Sequence, residues 1–182
     1  MRFPKPYADV VQRLRVPGGF LLAGAFLWLA APTKSSLWIG LPVAAMGLLL
    51  RGWAAGHLRK NQELITSGPY AWLRNPLYLG TLIIAAGFLV AAAAPWLGLA
   101  FAAAFLLIYG PVMQNEQEHP RSLFPGYDDY ARRVPLLLPK LPRERDPTHF
   151  QAALYWRNQE YKAALACVLA GAFLLWKAWA RL

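Results

Sequence analysis

The chain has 182 residues, of which 57% are hydrophobic and only 15% charged, with a formal net charge of +10 at pH 7. A soluble domain of this length with so few charges would carry a very apolar surface, so the composition points to an all-α, multi-pass membrane helix bundle. The basic residues flank apolar runs and form no stripe interleaved with aromatics, which speaks against nucleic acid as a partner and leaves anionic lipid heads as theirs.

Residues 1–15 carry Arg2, Lys5, Arg13 and Arg15 against Asp9 and are expected to lie along the membrane surface. Residues 16–33 are uncharged and just long enough for a first span. A signal peptide is the weaker reading of them, because the preceding polar region is long and no clear small-residue cleavage site follows. A second span is expected over 35–50, with 51–56 as its extension, where Ala44, Ala45, Gly47, Gly52 and Gly56 would let another helix approach closely. From Asn75 through Asn115 there is no Asp, Glu, Lys or Arg. At about 1.5 Å per residue this run could cross a core of roughly 30 Å twice, as a hairpin reversing at Ala94-Pro95-Trp96. A fifth apolar segment, 163–176, is short for a span, but Lys162 and Lys177 could snorkel at its ends, with Trp176 and Trp179 at the far interface.

Placing 1–15, 51–74 and 116–162 on one side of the membrane gathers 16 of the 19 Lys and Arg residues there. By the positive-inside rule that side, with the start of the chain, is cytoplasmic. The polar residues outside the spans collect there in two blocks. The first, His57 through Gly80, contains Gly68-Pro69-Tyr70, which reads as a turn, and Arg74-Asn75-Pro76. Asn before Pro suits a helix start, with Asn as cap and Pro at the first helical position. Arg74 therefore stands beside a helix N-terminus, a place suited to a carboxylate or phosphate; the plainer reading is an interfacial anchor reaching lipid phosphates. The second block runs from Gln114 to Pro139 and contains Glu116, Glu118, Phe124, Tyr127, Tyr130 and Val134-Pro135. Each block abuts one end of the hairpin, so Arg74 and Glu116 are expected to end near one another. Tyr127 and Tyr130 could equally be interfacial anchors, and Glu116 and Glu118 could end a helix by meeting Arg132 or Arg133. His57, His119 and His149 lack metal-ligand spacing, so no metal is expected. Cys167, the one cysteine, sits in an apolar segment and is read as packing.

The two blocks, in this order around a charge-free hairpin, resemble the isoprenylcysteine carboxyl methyltransferase and phospholipid methyltransferase superfamily of integral membrane enzymes. The matching residues are Gly68-Pro69-Tyr70, Arg74, Pro76, Tyr78 and Gly80, then Glu116, Phe124, Gly126, Tyr127, Tyr130 and Val134-Pro135, within a motif core of 51–139 in a single domain of 1–182. Two departures stand out. Asn75 replaces the family's His, and Gln117 falls on its second acidic position with Glu118 one residue late. The resemblance implies about five transmembrane helices and a cytoplasmic-side cavity for S-adenosylmethionine, whose methyl goes to a lipid-like or isoprenylated acceptor. It implies Arg74 and Glu116 as catalytic residues. Tyr70, Arg74, Asn75, Pro76, Tyr78, Gly80, Glu116, Glu118 and Tyr127 would form the cofactor site. The rival readings are an NADPH-dependent reductase of the sterol or steroid type and a non-catalytic membrane scaffold.

Overall fold

A computed structural model describes residues 5–109, 119–141 and 149–180, and among them the chain is helical without a strand. Helix α1 (Lys5–Leu29) is followed by α2 (Lys34–Ala55), a 3-10 turn (Gly68–Ala71) and α3 (Pro76–Ala91). After these come α4 (Pro95–Ala104), which runs on into a π-turn (Phe105–Tyr109), and then α5 (Tyr127–Arg133), α6 (Ala152–Arg157) and α7 (Tyr161–Trp179).

Helix α2 begins where a capping box allows it. The Thr33 hydroxyl accepts from the Ser36 amide at 3.1 Å, and the Ser36 hydroxyl accepts from the Thr33 amide at 2.9 Å. The same Ser36 hydroxyl donates to the carbonyl of Ala91 at 2.9 Å, fixing the start of α2 to the end of α3. Between these two antiparallel helices the backbones touch. A Cβ on Gly40 would stand 2.3 Å from the Ala91 nitrogen, and one on Gly87 would stand 2.3 Å from the Ala44 nitrogen. One on Gly80 would stand 2.8 Å from the Gly47 oxygen. Small residues on both helices therefore form the seam, the arrangement expected where close van der Waals packing of apolar helices supplies the association.

The expected reversal is present, and it turns at Ala92–Ala94, two residues earlier than placed from sequence. Ala93 takes the turn at φ +49°, and Pro95 opens α4 at its first position. Around this turn Ala30, Leu37, Ala91, Ala92, Ala94, Leu97, Leu174 and Ala178 bury one another, which gathers the ends of α1, α3 and α7 with the starts of α2 and α4. Helix α7 runs beyond the expected 163–176 because Lys177 remains helical and donates its ammonium to the carbonyls of Leu27 (2.7 Å) and Trp28 (2.9 Å). A cation there satisfies acceptors that the end of α1 leaves open.

The other end of α2 carries polar contacts. Arg51 forks onto both carboxylate oxygens of Glu160, with Nη2 to Oε2 at 3.0 Å, and its Nη1 donates to the Thr81 hydroxyl at 2.6 Å. Asn158 donates its amide hydrogens to the carbonyls of Ala55 (2.9 Å) and Leu58 (2.8 Å), closing the end of α2. Among the described residues α2 (22 residues) and α7 (19 residues) are long and apolar enough to cross a bilayer, while residues 17–29, α3 and residues 96–107 form shorter apolar helices.

Candidate functional site

The end of the bundle that carries Arg51 and Glu160 holds a cavity of about 650 Å³. Its floor is the segment 70–78, with Tyr70, Arg74, Asn75, Pro76 and Tyr78, and one wall is the loop Leu58–Ile65. The opposite wall belongs to the second block, through His119, Phe124, Tyr127 and Tyr130. Main-chain bonds fasten the blocks together. The Arg74 amide donates to Pro135 O at 2.8 Å, the Asn75 amide to Leu136 O at 3.1 Å, and the Lys140 amide to Trp72 O at 3.0 Å. From α5 the Tyr130 hydroxyl donates to Tyr70 O at 2.8 Å in a buried contact.

The turn expected at Gly68-Pro69 is the 3-10 turn. Gly68 opens it at φ +54°, and a Cβ there would lie 2.7 Å from the His57 ring. Both the left-handed backbone and the space call for glycine. His57 itself donates from Nδ1 to Trp53 O at 2.9 Å, holding the loop to the end of α2. A smaller cavity of about 290 Å³ lies behind this loop, lined by Gly56, His57, Ser67, His149 and Gln151.

Asn75 stands at the N-cap of α3 ahead of Pro76, but its side chain caps nothing. Capping by a side chain uses an extended backbone, whereas Asn75 sits at φ −123° and ψ +63°, with its own amide tied to Leu136. The Asn75 Nδ2 and the Tyr70 hydroxyl are buried in the cavity lining and meet no hydrogen-bond partner among the described residues. Polar atoms so placed are costly unless something satisfies them, and a bound polar molecule fits that requirement. Burial pushes the Tyr70 phenol well above its ordinary range, with the Tyr130 phenol and the Glu160 carboxylate adding to the effect. Burial does the same to Tyr130, assisted by Tyr127. Both are therefore neutral hydroxyls at physiological pH.

Of the residues singled out from sequence, Tyr70, Arg74, Asn75, Pro76, Tyr78 and Tyr127 meet in this one cavity. Gly80 does not. It faces α2, where a Cβ would press on the Arg51 side chain at 2.5 Å. Glu116 and Glu118, and with them the expected approach of Glu116 to Arg74, lie outside the described residues. Arg132 pairs with Asp129 at 3.8 Å, and Arg133 donates to Asp129 O at 3.3 Å. Tyr127 and Tyr130 are 5% and 4% exposed, so neither is an interfacial anchor. The loop residues Arg59, Lys60, Asn61 and Glu63, together with His119, also line the cavity, although no single motif pointed to them. Their signal was the interruption of apolar sequence by a short charged stretch. Among the described residues no three of His, Cys, Asp and Glu stand together as a metal site.

The phospholipid methyltransferase family matches residues 35–126 of this chain. The chain is similar to the nickel-cobalt-cadmium resistance protein NccN of Alcaligenes xylosoxydans xylosoxydans, 34% identical over 116 residues that cover 63% of this chain and 53% of that protein. It is similar to the cobalt-zinc-cadmium resistance protein CzcN of Cupriavidus metallidurans, 36% identical over 105 residues, 57% of this chain and 47% of that protein. More distantly it is similar to the protein-S-isoprenylcysteine O-methyltransferase of Schizosaccharomyces pombe, 26% identical over 144 residues, 76% of this chain and 61% of that protein. The chain thus spans about half the length of the two metal-resistance relatives. No solved structure matches it.

Proposed function

Because this chain belongs to the phospholipid methyltransferase family, we propose that it transfers a methyl group from S-adenosylmethionine to a lipid-like or isoprenylated acceptor at the cytoplasmic face of a membrane. The observation that carries this reading is the cavity in which both polar blocks meet, with a buried Tyr70 hydroxyl and Asn75 amide that meet no partner among the described residues. S-adenosylmethionine, when bound, supplies an electrophilic methyl on a sulfonium centre. The chain's own task is to align two molecules, an effect worth several kcal/mol or more. Arg74, beside the start of α3, takes a carboxylate. Tyr70 and Asn75 donate to polar oxygens at the cavity floor. Tyr78 and Tyr127 offer aromatic faces to cationic and flat groups. Glu116 and Glu118 are assigned to an ammonium or to ribose hydroxyls from the sequence resemblance.

The protein in this reading is one domain of about five crossings. The Lys177 contacts, the turn at Ala93 and the loop before α2 share one end of the bundle, while the cavity and the basic loops share the other. That sorting supports a helical hairpin with its polar mouth on the positively charged, cytoplasmic side. The metal-resistance names belong to two relatives.

Calorimetry of the purified protein in lipid nanodiscs, with S-adenosylmethionine, S-adenosylhomocysteine and NADPH as titrants, tests the reading. Binding of the first two without NADPH is expected, and NADPH binding alone would move the protein to the reductases. Arg74→Ala is expected to weaken S-adenosylhomocysteine binding by roughly 10- to 100-fold, the worth of about 1.5–3 kcal/mol for a hydrogen bond to a charged group. Loss of thermal stability in the same variant would show that Arg74 serves the architecture.

A further inference from the structure

His119 lies in a helical segment described over 119–123, and Asn61 lies in the loop after α2. The His119 Nε2 stands 3.2 Å from the Asn61 Oδ1, a contact between residues 58 apart in sequence, and both residues line the 650 Å³ cavity. An amide oxygen only accepts, so Nε2 carries the hydrogen and Nδ1 is the accepting nitrogen of the ring. Asn61 holds this position at φ +60°, in the left-handed region. Residues in such conformations persist where their surroundings over-determine them, and they gather at functional sites. The pair has the form of a base held in one tautomer by a second group.

We propose that His119, oriented by Asn61, accepts the proton displaced from an acceptor whose nucleophilic atom bears hydrogen, such as an amine or a thiol. The proposal rests on the methyltransferase reading. In the step, the lone pair of the acceptor nitrogen or sulfur forms a bond to the methyl carbon, and the carbon–sulfur bond electrons return to the donor's sulfur. The acceptor's proton passes to Nδ1 of His119. A carboxylate acceptor would have no proton to give and no need of the imidazole.

The charged groups sharing the cavity are Arg59, Lys60, Glu63 and Arg74, of which Arg59 is held by Glu63 at 2.9 Å. Arg121, on the turn with His119, is held by Asp128 at 2.8 Å. The phenols of Tyr70 and Tyr130 are kept neutral by burial. Among the described lining residues His119 alone presents an imidazole, whose second ring nitrogen accepts a proton while the first is held by Asn61.

The test uses the whole chain in nanodiscs with three amphiphile probes, dodecylamine, dodecanethiol and palmitate, and labelled S-adenosylmethionine. His119→Gln keeps a hydrogen-bonding side chain and loses the basic ring nitrogen. It should lower transfer to the amine or thiol by at least about 100-fold, with S-adenosylhomocysteine affinity within about twofold of wild type. Nitrogen NMR of the wild type should show the neutral ring hydrogen on Nε2, and Asn61→Ala should release that preference. Transfer to palmitate alone, transfer to none of the probes with the donor bound, an unchanged rate in His119→Gln, or the hydrogen on Nδ1 would each overturn the proposal. Failure of S-adenosylmethionine and S-adenosylhomocysteine to bind the wild type would instead sink the methyltransferase reading beneath it.

Discussion

Removing the Glu160 carboxylate isolates what the charge pair at the C-terminal end of α2 contributes. The Arg51 and Glu160 side chains are 22% and 6% exposed, and both carboxylate oxygens are engaged by the one guanidinium. In Glu160→Ala the guanidinium keeps its bonds to Thr81 and Leu77 through Nη1 and loses those made by Nε and Nη2. A desolvated cation left in that state costs about 3–5 kcal/mol, whereas replacing both partners with apolar side chains of similar size is about neutral or stabilising. Glu160→Gln, which can still accept from Arg51, should fall between. Unfolding in mixed micelles of dodecyl maltoside and SDS, followed by emission of the protein's 8 tryptophans, measures all three. A cost below about 1 kcal/mol for Glu160→Ala, the range of exposed pairs, would refute the reasoning. So would an Arg51→Met/Glu160→Leu double variant as unstable as the single one.

Gly87→Ala places a Cβ 2.3 Å from the Ala44 nitrogen and 2.7 Å from the Gly40 oxygen, backbone atoms that yield only if α2 and α3 part. It should cost about 1–3 kcal/mol in the same assay. Gly98→Ala, whose Cβ would meet only Leu89 Cδ1 at 3.9 Å, should be neutral or stabilising by up to about 1 kcal/mol. The raised phenols predict alkaline lability. A group whose folded value exceeds its unfolded value binds its proton more tightly in the folded chain, so its contribution is whole below about pH 10 and is lost as pH climbs from there. Tyrosinate absorbance should show Tyr70 and Tyr130 ionising only with unfolding. Tyr70→Phe/Tyr130→Phe should flatten that pH dependence; ionisation of both in the folded protein would contradict it.

Much of this could be read from the chain before its coordinates. The extent of α2 followed from a charge-free run between Lys34 and Arg51, and the reversal of the hairpin from Pro95, because both signals are local. Ala44 and Gly47 were read as contact residues and are. Gly52 also meets a helix, through Tyr155 of α6, while Gly56 receives Phe150; these aromatic partners lie about 100 residues away and leave no trace in local spacing. The same is true of the Arg51 and Glu160 pair, since neither flanking sequence carries a periodicity that names the other. Asn75 misled for a related reason. Residues 75–76 are those of a helix cap, but the backbone conformation there is set by Leu136, far along the chain.

Beside the buried Tyr130 bond to Tyr70, three amide hydrogens, those of Arg74, Asn75 and Lys140, tie residues 72–75 to residues 135–140. Along 136–140 side-chain identity is therefore almost irrelevant to closure of the joint, so natural or engineered diversification there can proceed without prising the two blocks apart. The substitution it forbids is proline at any of those three donors, which would strike at the joint whatever its shape or charge.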